Sequence, residues 1–147
     1  MAASDLVVSS ITDAEIETVV ALWQRCGLTQ PWNDPAADIG FARGGPNSDL
    51  LVGRRAGKLA ATALVGHDGH RGWVYYVAVD PDAQRSGLGR AIMAAAEDWL
   101  RARGVLKVQL MVRPENRKVQ TFYETLGYGE QKRVIYAKWL DGRELTP

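Results

Sequence analysis

The sequence is poor in cysteine and histidine, and its charge is nearly balanced. Its 147 residues include one cysteine, Cys26, and two histidines, and 18 basic residues stand against 17 acidic ones for a formal net charge of +1. A single cysteine excludes an internal disulfide framework and disfavours a zinc site, so no metal is expected. The charge balance gives no general attraction to nucleic acid or to a membrane surface, and neither is an expected partner.

Long hydrophobic runs are missing as well. No apolar stretch approaches the roughly 18 residues of a membrane span, and the start of the chain lacks the basic and apolar regions of a signal peptide. A cytoplasmic protein is therefore expected. With 46% hydrophobic and 24% charged residues, the composition predicts a folded chain, and the length suits a single domain over residues 1–147.

Hydrophobic periodicity predicts an alternation of strands and helices. The order is that of one mixed α/β domain, β-α-loop-β-β-β-α-β-α-β, with a mostly antiparallel first half. The predicted elements are a strand over 5–10, a helix over 11–27, a loop with a short helix over 36–42, strands over 50–55, 58–66 and 73–79, a helix over 88–103, a strand over 105–112, a helix over 116–127 and a strand over 132–140.

The segment "DAQRSGLGRA", residues 82–91, places two glycines and two arginines between a predicted strand and a predicted helix. The N-terminus of a helix has unpaired N–H groups and a partial positive charge, and glycines let such groups converge on an anion such as pyrophosphate. The segment matches neither the P-loop nor the dinucleotide fingerprint, since Ile92 stands where a third glycine would be. A solvated glycine-rich turn is the alternative interpretation.

Two motifs at a matching distance resemble those of the GCN5-related N-acetyltransferases (GNAT). "QRSGLG" (84–89) resembles motif A, Q/R-x-x-G-x-G/A. "ENRKVQTFYETLGY" (115–128) resembles N-x-x-A-x-x-[LF]-Y-x-x-x-G-[FY], with Val119 in place of the alanine. The resemblance extends over roughly residues 5–139, nearly the whole chain. It implies the GNAT fold, a mixed central sheet with flanking helices, and acetyl-CoA as co-substrate.

The resemblance also implies where the cofactor binds. Backbone N–H groups of the loop would hold the pyrophosphate, and the preceding strand, splayed from its neighbour, would bond the pantetheine arm as an added strand does. Asn116 would reach the same arm, although capping of a helix is its simpler role. The predicted cofactor-binding residues are Val77, Ala78, Val79, Gln84, Arg85, Ser86, Gly87, Leu88, Gly89, Arg90 and Asn116.

For catalysis, the resemblance implies direct transfer, with Tyr123 protonating the departing thiolate. A phenol with a pKa of about 10 can protonate a thiolate whose thiol has a pKa of about 8.5; a core aromatic is the alternative. A backbone N–H within residues 77–79 would polarise the thioester carbonyl. The general base stays open, because "QLMVRPEN" has Met111 where enzymes that acetylate ribosomal-protein N-termini have a glutamate. A water relay to a carboxylate or to His70 is one option.

Two loop segments outside these motifs, "QPWNDP" (30–35) and "HDGHRG" (67–72), resemble those of a bacterial branch, the YpeA-like acetyltransferases. Trp32 offers an aromatic wall for an amine acceptor, and Asn33, Asp34 and Asp38 offer oxygens that can accept hydrogen bonds from it. His70 could titrate near neutral pH. Ordinary turn chemistry explains part of both segments equally well. The predicted substrate-binding residues are Trp32, Asn33, Asp34 and His70.

The predicted function is transfer of acetyl from acetyl-CoA to an amine: a small amine, an amino acid or a protein amine. The alternative is a non-catalytic acyl-CoA-binding sensor module. The presence of Tyr123 and Asn116 argues against the sensor, whereas the missing glutamate argues weakly for it. A homodimer through the edge of the final strand is left open.

Overall fold

The computed structural model of the chain describes residues 5–84 and 86–146. The described residues form two compact units, and the boundary between them in the sequence lies between Met111 and Val112. The first unit contains a five-stranded sheet in the order β1-β2-β3-β4-β5, antiparallel throughout except for the parallel pair β4–β5. Its elements are β1 (Val7–Ser10), α1 (Ile16–Arg25), α2 (Pro35–Ala42), β2 (Ser48–Arg55), β3 (Lys58–His67), β4 (Gly72–Val79), α3 (Leu88–Arg101) and β5 (Val108–Gln109).

The mixed sheet with flanking helices confirms the predicted fold class. The β2–β3 hairpin closes through Ala56 and Gly57, which both have positive φ, at 53° and 79°. Two left-handed residues in a two-residue loop match the right-handed twist of the paired strands. The two-residue connection between the strands predicted over 50–55 and 58–66 is therefore confirmed. It pairs β2 with β3 from Arg55 and Lys58 to Ser48 and Gly66, with one register shift between Gly53 and Arg54.

Two layers of apolar side chains cover the sheet. Helix α1 buries Val19, Leu22 and Trp23 in a core with Leu50 and Val52 of β2. Helix α3 contributes the stripe that its periodicity predicts, except that Trp99 is only partly buried. The buried residues of that stripe are Leu88, Ile92, Met93, Ala96 and Leu100.

The last part of the chain departs from the predicted element order. In the second unit, helix α4 spans Arg117–Thr125, and no strand forms among the described residues 132–140. Tyr136 in that segment is 92% exposed. The strand predicted over 105–112 is reduced to Val108–Gln109. β-propensity measures how well side chains fit against a neighbouring strand. The segment 132–140 has no partner strand among the described residues of its own unit, so its apolar pattern does not lead to a strand.

A bidentate ion pair joins the start of α1 to β2. The carboxylate of Glu15 accepts from Arg54 Nε and Nη2, both at 2.5 Å, and also from the backbone N–H of Thr12 at 2.9 Å. These bonds, chiefly those from Arg54, lower the pKa of Glu15 from 4.5 to about 2. The pair therefore ties the entrance of α1 to the sheet at neutral pH.

Replacing Glu15 with Gln is expected to lower the free energy of unfolding at pH 7 by about 1–2 kcal/mol. Because the pKa of Glu15 is depressed in the folded state, its contribution is present above pH 4.5 and is lost as pH falls toward about 2. Urea unfolding of wild type and Glu15→Gln at a series of pH values should show the difference shrinking over this range. Glu17→Gln, an exposed change of the same charge on α1, is the control, and a difference that stays constant with pH contradicts the assignment.

Candidate active site

The loop between β4 and α3 is anchored by a buried aspartate. Asp80 accepts from the backbone N–H of Asp82 at 2.9 Å through Oδ1 and from Arg25 Nη2 at 3.1 Å through Oδ2. Its own N–H donates to the carbonyl of Ala60 on β3 at 2.8 Å, and the Ser86 hydroxyl donates to the carbonyl of Ala83 further along the loop. The loop is thus tied to the sheet and to the end of α1. Arg85 lies outside the described residues.

Helix α3 begins directly after Gly87, which caps it in a left-handed conformation with φ 81° and ψ 9°. A glycine cap has no side chain that could bond the first N–H groups of the helix, and the first turn contains no acidic residue. The N–H groups of Leu88, Gly89 and Arg90 precede the first intrahelical bond, from Ala91 to Gly87. Arg90 is exposed. This geometry suits an anion, which the helix dipole and the N–H groups would stabilise.

Strands β4 and β5 pair over only two positions, Gly72 with Val108 and Trp73 with Gln109. β5 ends at Gln109, and beyond Trp73 no described strand pairs with this edge of β4, so the edge is open there. The predicted residues Val77, Ala78 and Val79 lie on this open edge. The side chain of Ala78 is buried, which confirms core packing for that residue, while its backbone remains part of the edge strand.

At the end of this edge, the carbonyl of Val79 accepts from two side chains. The amide of Gln84 donates at 3.3 Å and the thiol of Cys26 at 3.4 Å. Burial raises the pKa of the Cys26 thiol above its usual range, so the thiol form predominates at neutral pH. Both contacts join the loop and α1 to the strand, which gives Cys26 a structural contact.

No pattern in the sequence points to Tyr76, which the structure places beside the open edge. It lies in β4 at an irregularity of the β3–β4 register and has a φ of 52°, which is uncommon for a residue with a side chain. Its ring stacks on Trp23 with centroids 3.8 Å apart, and its hydroxyl donates to Asp38 Oδ2 at 2.7 Å. Burial and the Asp38 carboxylate raise the pKa of Tyr76 well above its usual range. Asp38 of α2 is thereby brought to the strand that forms the open edge.

The predicted substrate-binding residues lie in two segments, the loop and first turn of α2 and the turn before β4. Trp32 is half-buried and Asn33 exposed in the loop before α2. The carboxylate of Asp34 accepts from the backbone N–H of Ala37 at 3.1 Å and caps α2, which confirms the alternative of local turn chemistry. His70 is exposed in the turn before Gly72, so about 16 Å of strand separate that turn from Val77.

The second unit positions the two residues of the second motif. Asn116 caps helix α4 and accepts from the N–H of Val119 at 3.3 Å, as the simpler interpretation predicts. Tyr123 is buried on α4, with its ring edge-on to Phe122 and Tyr128 at centroid distances of 5.0 and 5.7 Å. Burial raises the pKa of Tyr123 to about 12. The phenol therefore keeps its proton throughout the neutral range and is available as a donor.

Solved structures share this architecture. The ribosomal-protein-S18-alanine N-acetyltransferase from Escherichia coli is 29% identical, with a TM-score of 0.73 over 94% of this chain and 87% of that one. An aminoglycoside N-acetyltransferase solved in complex with CoA is 17% identical, with a TM-score of 0.78 over 92% of this chain and 95% of that one. At 17% identity the second likeness concerns the fold alone. The fold is thus that of an acetyltransferase.

Sequence comparisons establish the family. The profile of the acetyltransferase (GNAT) family matches residues 15–128. An acetyltransferase of Sodalis glossinidius is 40% identical over 121 residues, 82% of this chain and 85% of that protein. One of Yersinia enterocolitica is 37% identical over 127 residues, 86% of this chain and 90% of that protein. The chain belongs to the GNAT family and is an acetyl-CoA-dependent N-acetyltransferase; its place in the YpeA-like branch stays a prediction.

No helix within the described residues is both long and apolar enough to cross a membrane.

Proposed function

We propose that this enzyme binds acetyl-CoA along the open edge of β4 and the N-terminus of α3 and transfers the acetyl group directly to an amine. The observation that carries the proposal is the edge of β4 that no described strand pairs beyond Trp73, followed by the glycine-capped start of α3. An extended arm can bond a free strand edge, and a pyrophosphate can bond the helix N-terminus that follows it. In CoA an extended pantetheine arm is joined to a pyrophosphate. The cofactor therefore presents an arm for the strand edge and, next to it, an anion for the helix N-terminus.

The residues of the loop fit such a ligand. Gly87 leaves the first N–H groups of α3 without a side-chain cap, and the exposed Arg90 adds a positive charge. On the strand, the N–H of Asp80 points to β3, so the alternation of an extended chain directs the backbone of Val79 toward the open edge. The other predicted contacts, with Gln84, Arg85, Ser86 and Asn116, are proposed from their places in the family motifs. A single catalytic domain and a cytoplasmic location remain predictions.

In the proposed reaction, the neutral amine attacks the thioester carbon and forms the new C–N bond. The carbonyl oxygen takes up negative charge, which a backbone N–H of residues 77–79 stabilises. The amine nitrogen, positively charged after the attack, loses a proton to solvent. The C–S bond then breaks, and Tyr123, whose pKa of about 12 keeps it protonated, gives its proton to the thiolate and regains one from solvent. General acid catalysis is expected here because the sulfur departs more readily as a neutral thiol than as a thiolate anion.

The acceptor is proposed to be an amine that binds in its protonated form at Asp38 and loses that proton to solvent before it attacks. Structural relatives are named for an alanine N-terminus of a ribosomal protein and for aminoglycosides; both are amines. Asp38 is half-buried and bonded to Tyr76, and no basic side chain among the described residues lies within 4.0 Å of it. A carboxylate held in this way favours a cation from solution. With Asp34 engaged as a helix cap, Asp38 is the carboxylate of this loop best placed for the role.

Replacing Asp38 with Asn is expected to raise KM for a cationic acceptor about tenfold, because a charge-assisted hydrogen bond becomes a neutral one. The affinity for acetyl-CoA should stay within about twofold, since the change lies on α2 and not on the loop. Steady-state kinetics with the acceptor varied at saturating acetyl-CoA measures the acceptor KM, and calorimetric titration measures the affinity for acetyl-CoA. Glu17→Gln removes one exposed charge from α1 and should change neither constant; an unchanged acceptor KM in Asp38→Asn excludes Asp38 from acceptor binding.

The function is tested by thiol release from acetyl-CoA in the presence of diamines, amino acids, aminoglycosides and peptides with free N-termini. Mass spectrometry of the reaction mixture should find an acceptor heavier by one acetyl group. Binding of acetyl-CoA with no release beyond the blank for any amine would instead support the sensor module. Absence of both binding and release would contradict the proposal as a whole.

A further inference from the structure

A buried chain of hydrogen bonds leads from α1 to the open edge of β4. The indole Nε1 of Trp23 donates to Thr62 Oγ1 at 2.9 Å, and the Thr62 hydroxyl donates to the carbonyl of Tyr76 at 2.9 Å. Trp23 and Thr62 are fully buried, with 0% of each exposed. A hydroxyl has a single proton, and here the indole N–H occupies the oxygen as an acceptor. The proton of Thr62 is therefore committed to the Tyr76 carbonyl.

This bond fixes the orientation of the peptide unit between Tyr76 and Val77. No cis peptide occurs among the described residues, and in a trans peptide the C=O and the N–H point in opposite directions. With the carbonyl of Tyr76 directed to Thr62 on β3, the N–H of Val77 points away from β3. It is thus directed to the edge of β4 that has no described partner strand beyond Trp73.

The same peptide follows a strained residue. Tyr76 has a φ of 52° in a strand whose pairing with β3 is irregular between Thr62 and Leu64. A left-handed conformation of a non-glycine residue is strained and persists only where its surroundings hold it. Stacking on Trp23 holds the ring of Tyr76, and Thr62 holds its carbonyl. Without Thr62, nothing in this chain of bonds would set the direction of the Val77 N–H.

We propose that Thr62, held by Trp23, is a positioning residue that aims the N–H of Val77 at the thioester oxygen of bound acetyl-CoA. The inference rests on the proposed function, because it places the acetyl group at the open edge. When the amine forms its C–N bond, the carbonyl electron pair moves onto this oxygen, and the Val77 N–H stabilises the resulting negative charge. Collapse of the intermediate breaks the C–S bond, the electron pair leaves on sulfur, and solvent takes the proton that the amine loses.

Packing alone does not account for a threonine at this position. Its neighbours in the strand, Ala61 and Ala63, are fully buried, and valine would fill the same volume without a hydroxyl that needs partners. Thr62→Val therefore removes the proposed function of the side chain while keeping its shape. Thr62→Ser keeps the hydroxyl and removes only a methyl group. The pair of variants separates the bond from the packing.

The test uses acetyl-CoA labelled with ¹³C at the carbonyl, whose stretching frequency is read by difference infrared spectroscopy on the bound enzyme. A hydrogen bond to the oxygen lowers this frequency. In wild type and Thr62→Ser it should lie below that of free acetyl-CoA, and in Thr62→Val it should return at least about half of the way to the free value. The kcat of Thr62→Val should fall about 10- to 30-fold, less than the roughly 100-fold or greater loss of a whole oxyanion donor, while its Kd for acetyl-CoA stays within about twofold.

Leu22→Val is the matched control, because Leu22 is buried beside Trp23 and its truncation weakens the same core without touching the bonds. It should keep the wild-type frequency. If Thr62→Val does not fold, Trp23→Phe reports instead, since loss of the indole N–H frees the hydroxyl to rotate and should shift the frequency in the same direction. An unchanged frequency in the folded variant would overturn the inference and leave the proposed function standing. Failure of wild type to bind acetyl-CoA would overturn the proposed function and, with it, this role of Thr62.

Discussion

Replacing Gly87 with Val is expected to reduce the affinity for acetyl-CoA by more than about 100-fold. Gly87 has a φ of 81° at the cap of α3, a conformation that a β-branched residue almost never adopts. Valine would force the loop out of this geometry and add a side chain where the first N–H groups of the helix are open. Isothermal titration calorimetry with acetyl-CoA measures the loss, and circular dichroism verifies that the variant is folded.

Gly104→Val is the matched control for this variant. Gly104 follows the other end of α3 with a φ of 78°, and a Cβ built there meets nothing within 4 Å. It therefore imposes similar backbone strain away from the loop and should leave the affinity unchanged. Gly89→Val adds a second comparison. Gly89 lies inside α3, so this variant tests whether the space beside the helix N-terminus must stay free, without a change at a residue of positive φ. Wild-type affinity in Gly87→Val would refute the assignment of the loop to the pyrophosphate.

Replacing Tyr123 with Phe is expected to lower kcat about 100-fold while acetyl-CoA affinity stays within about twofold. General acids contribute roughly 100- to 10,000-fold, and the lower end applies because a phenol with a raised pKa is a weak acid. Burial raises the pKa of Tyr123 to about 12, so its deprotonation should not reduce the wild-type rate between about pH 8 and pH 10. The rate should instead rise with pH as the amine acceptor loses its proton.

Tyr128→Phe is the control, since Tyr128 packs edge-on against Tyr123 and also carries a phenol. Its kcat should stay within about threefold of wild type, because the general acid is intact. In Tyr123→Phe the plateau of the pH–rate profile should fall while its rising limb stays at the same pH. Wild-type kcat in Tyr123→Phe would remove this residue from the mechanism.

Local patterns predicted the parts of the fold that local physics decides. The Ala56–Gly57 turn and the buried stripe of α3 follow from backbone conformations and helical periodicity, and both are confirmed. The predicted strand over 132–140 fails because an apolar pattern does not identify a partner strand. Residue patterns report what a segment can form, whereas pairing depends on residues distant in sequence.

The candidate site divides in the same way. Asn116 was recognisable as a helix cap and Asp34 as part of local turn chemistry, because both are local arrangements; in the structure each caps a helix. The contact of Asp38 with Tyr76 joins residues 38 positions apart, and that of Trp23 with Thr62 joins residues 39 apart. No spacing in the sequence signals such contacts, nor does a tyrosine within an apolar strand signal a left-handed φ. The proposals that Asp38 binds the acceptor and that Thr62 orients the Val77 N–H depend on these contacts, which only the structure shows.

The most direct test of the central claim is calorimetric titration of the wild-type chain with acetyl-CoA, repeated in the presence of free CoA, of ADP-ribose and of NAD. The account predicts binding in the micromolar range that free CoA displaces and that ADP-ribose and NAD do not, because the pantetheine arm must bond the edge of β4. Displacement by ADP-ribose or NAD would identify a nucleotide site instead, and no heat of binding at all would contradict the assignment of the loop and the open strand to acetyl-CoA.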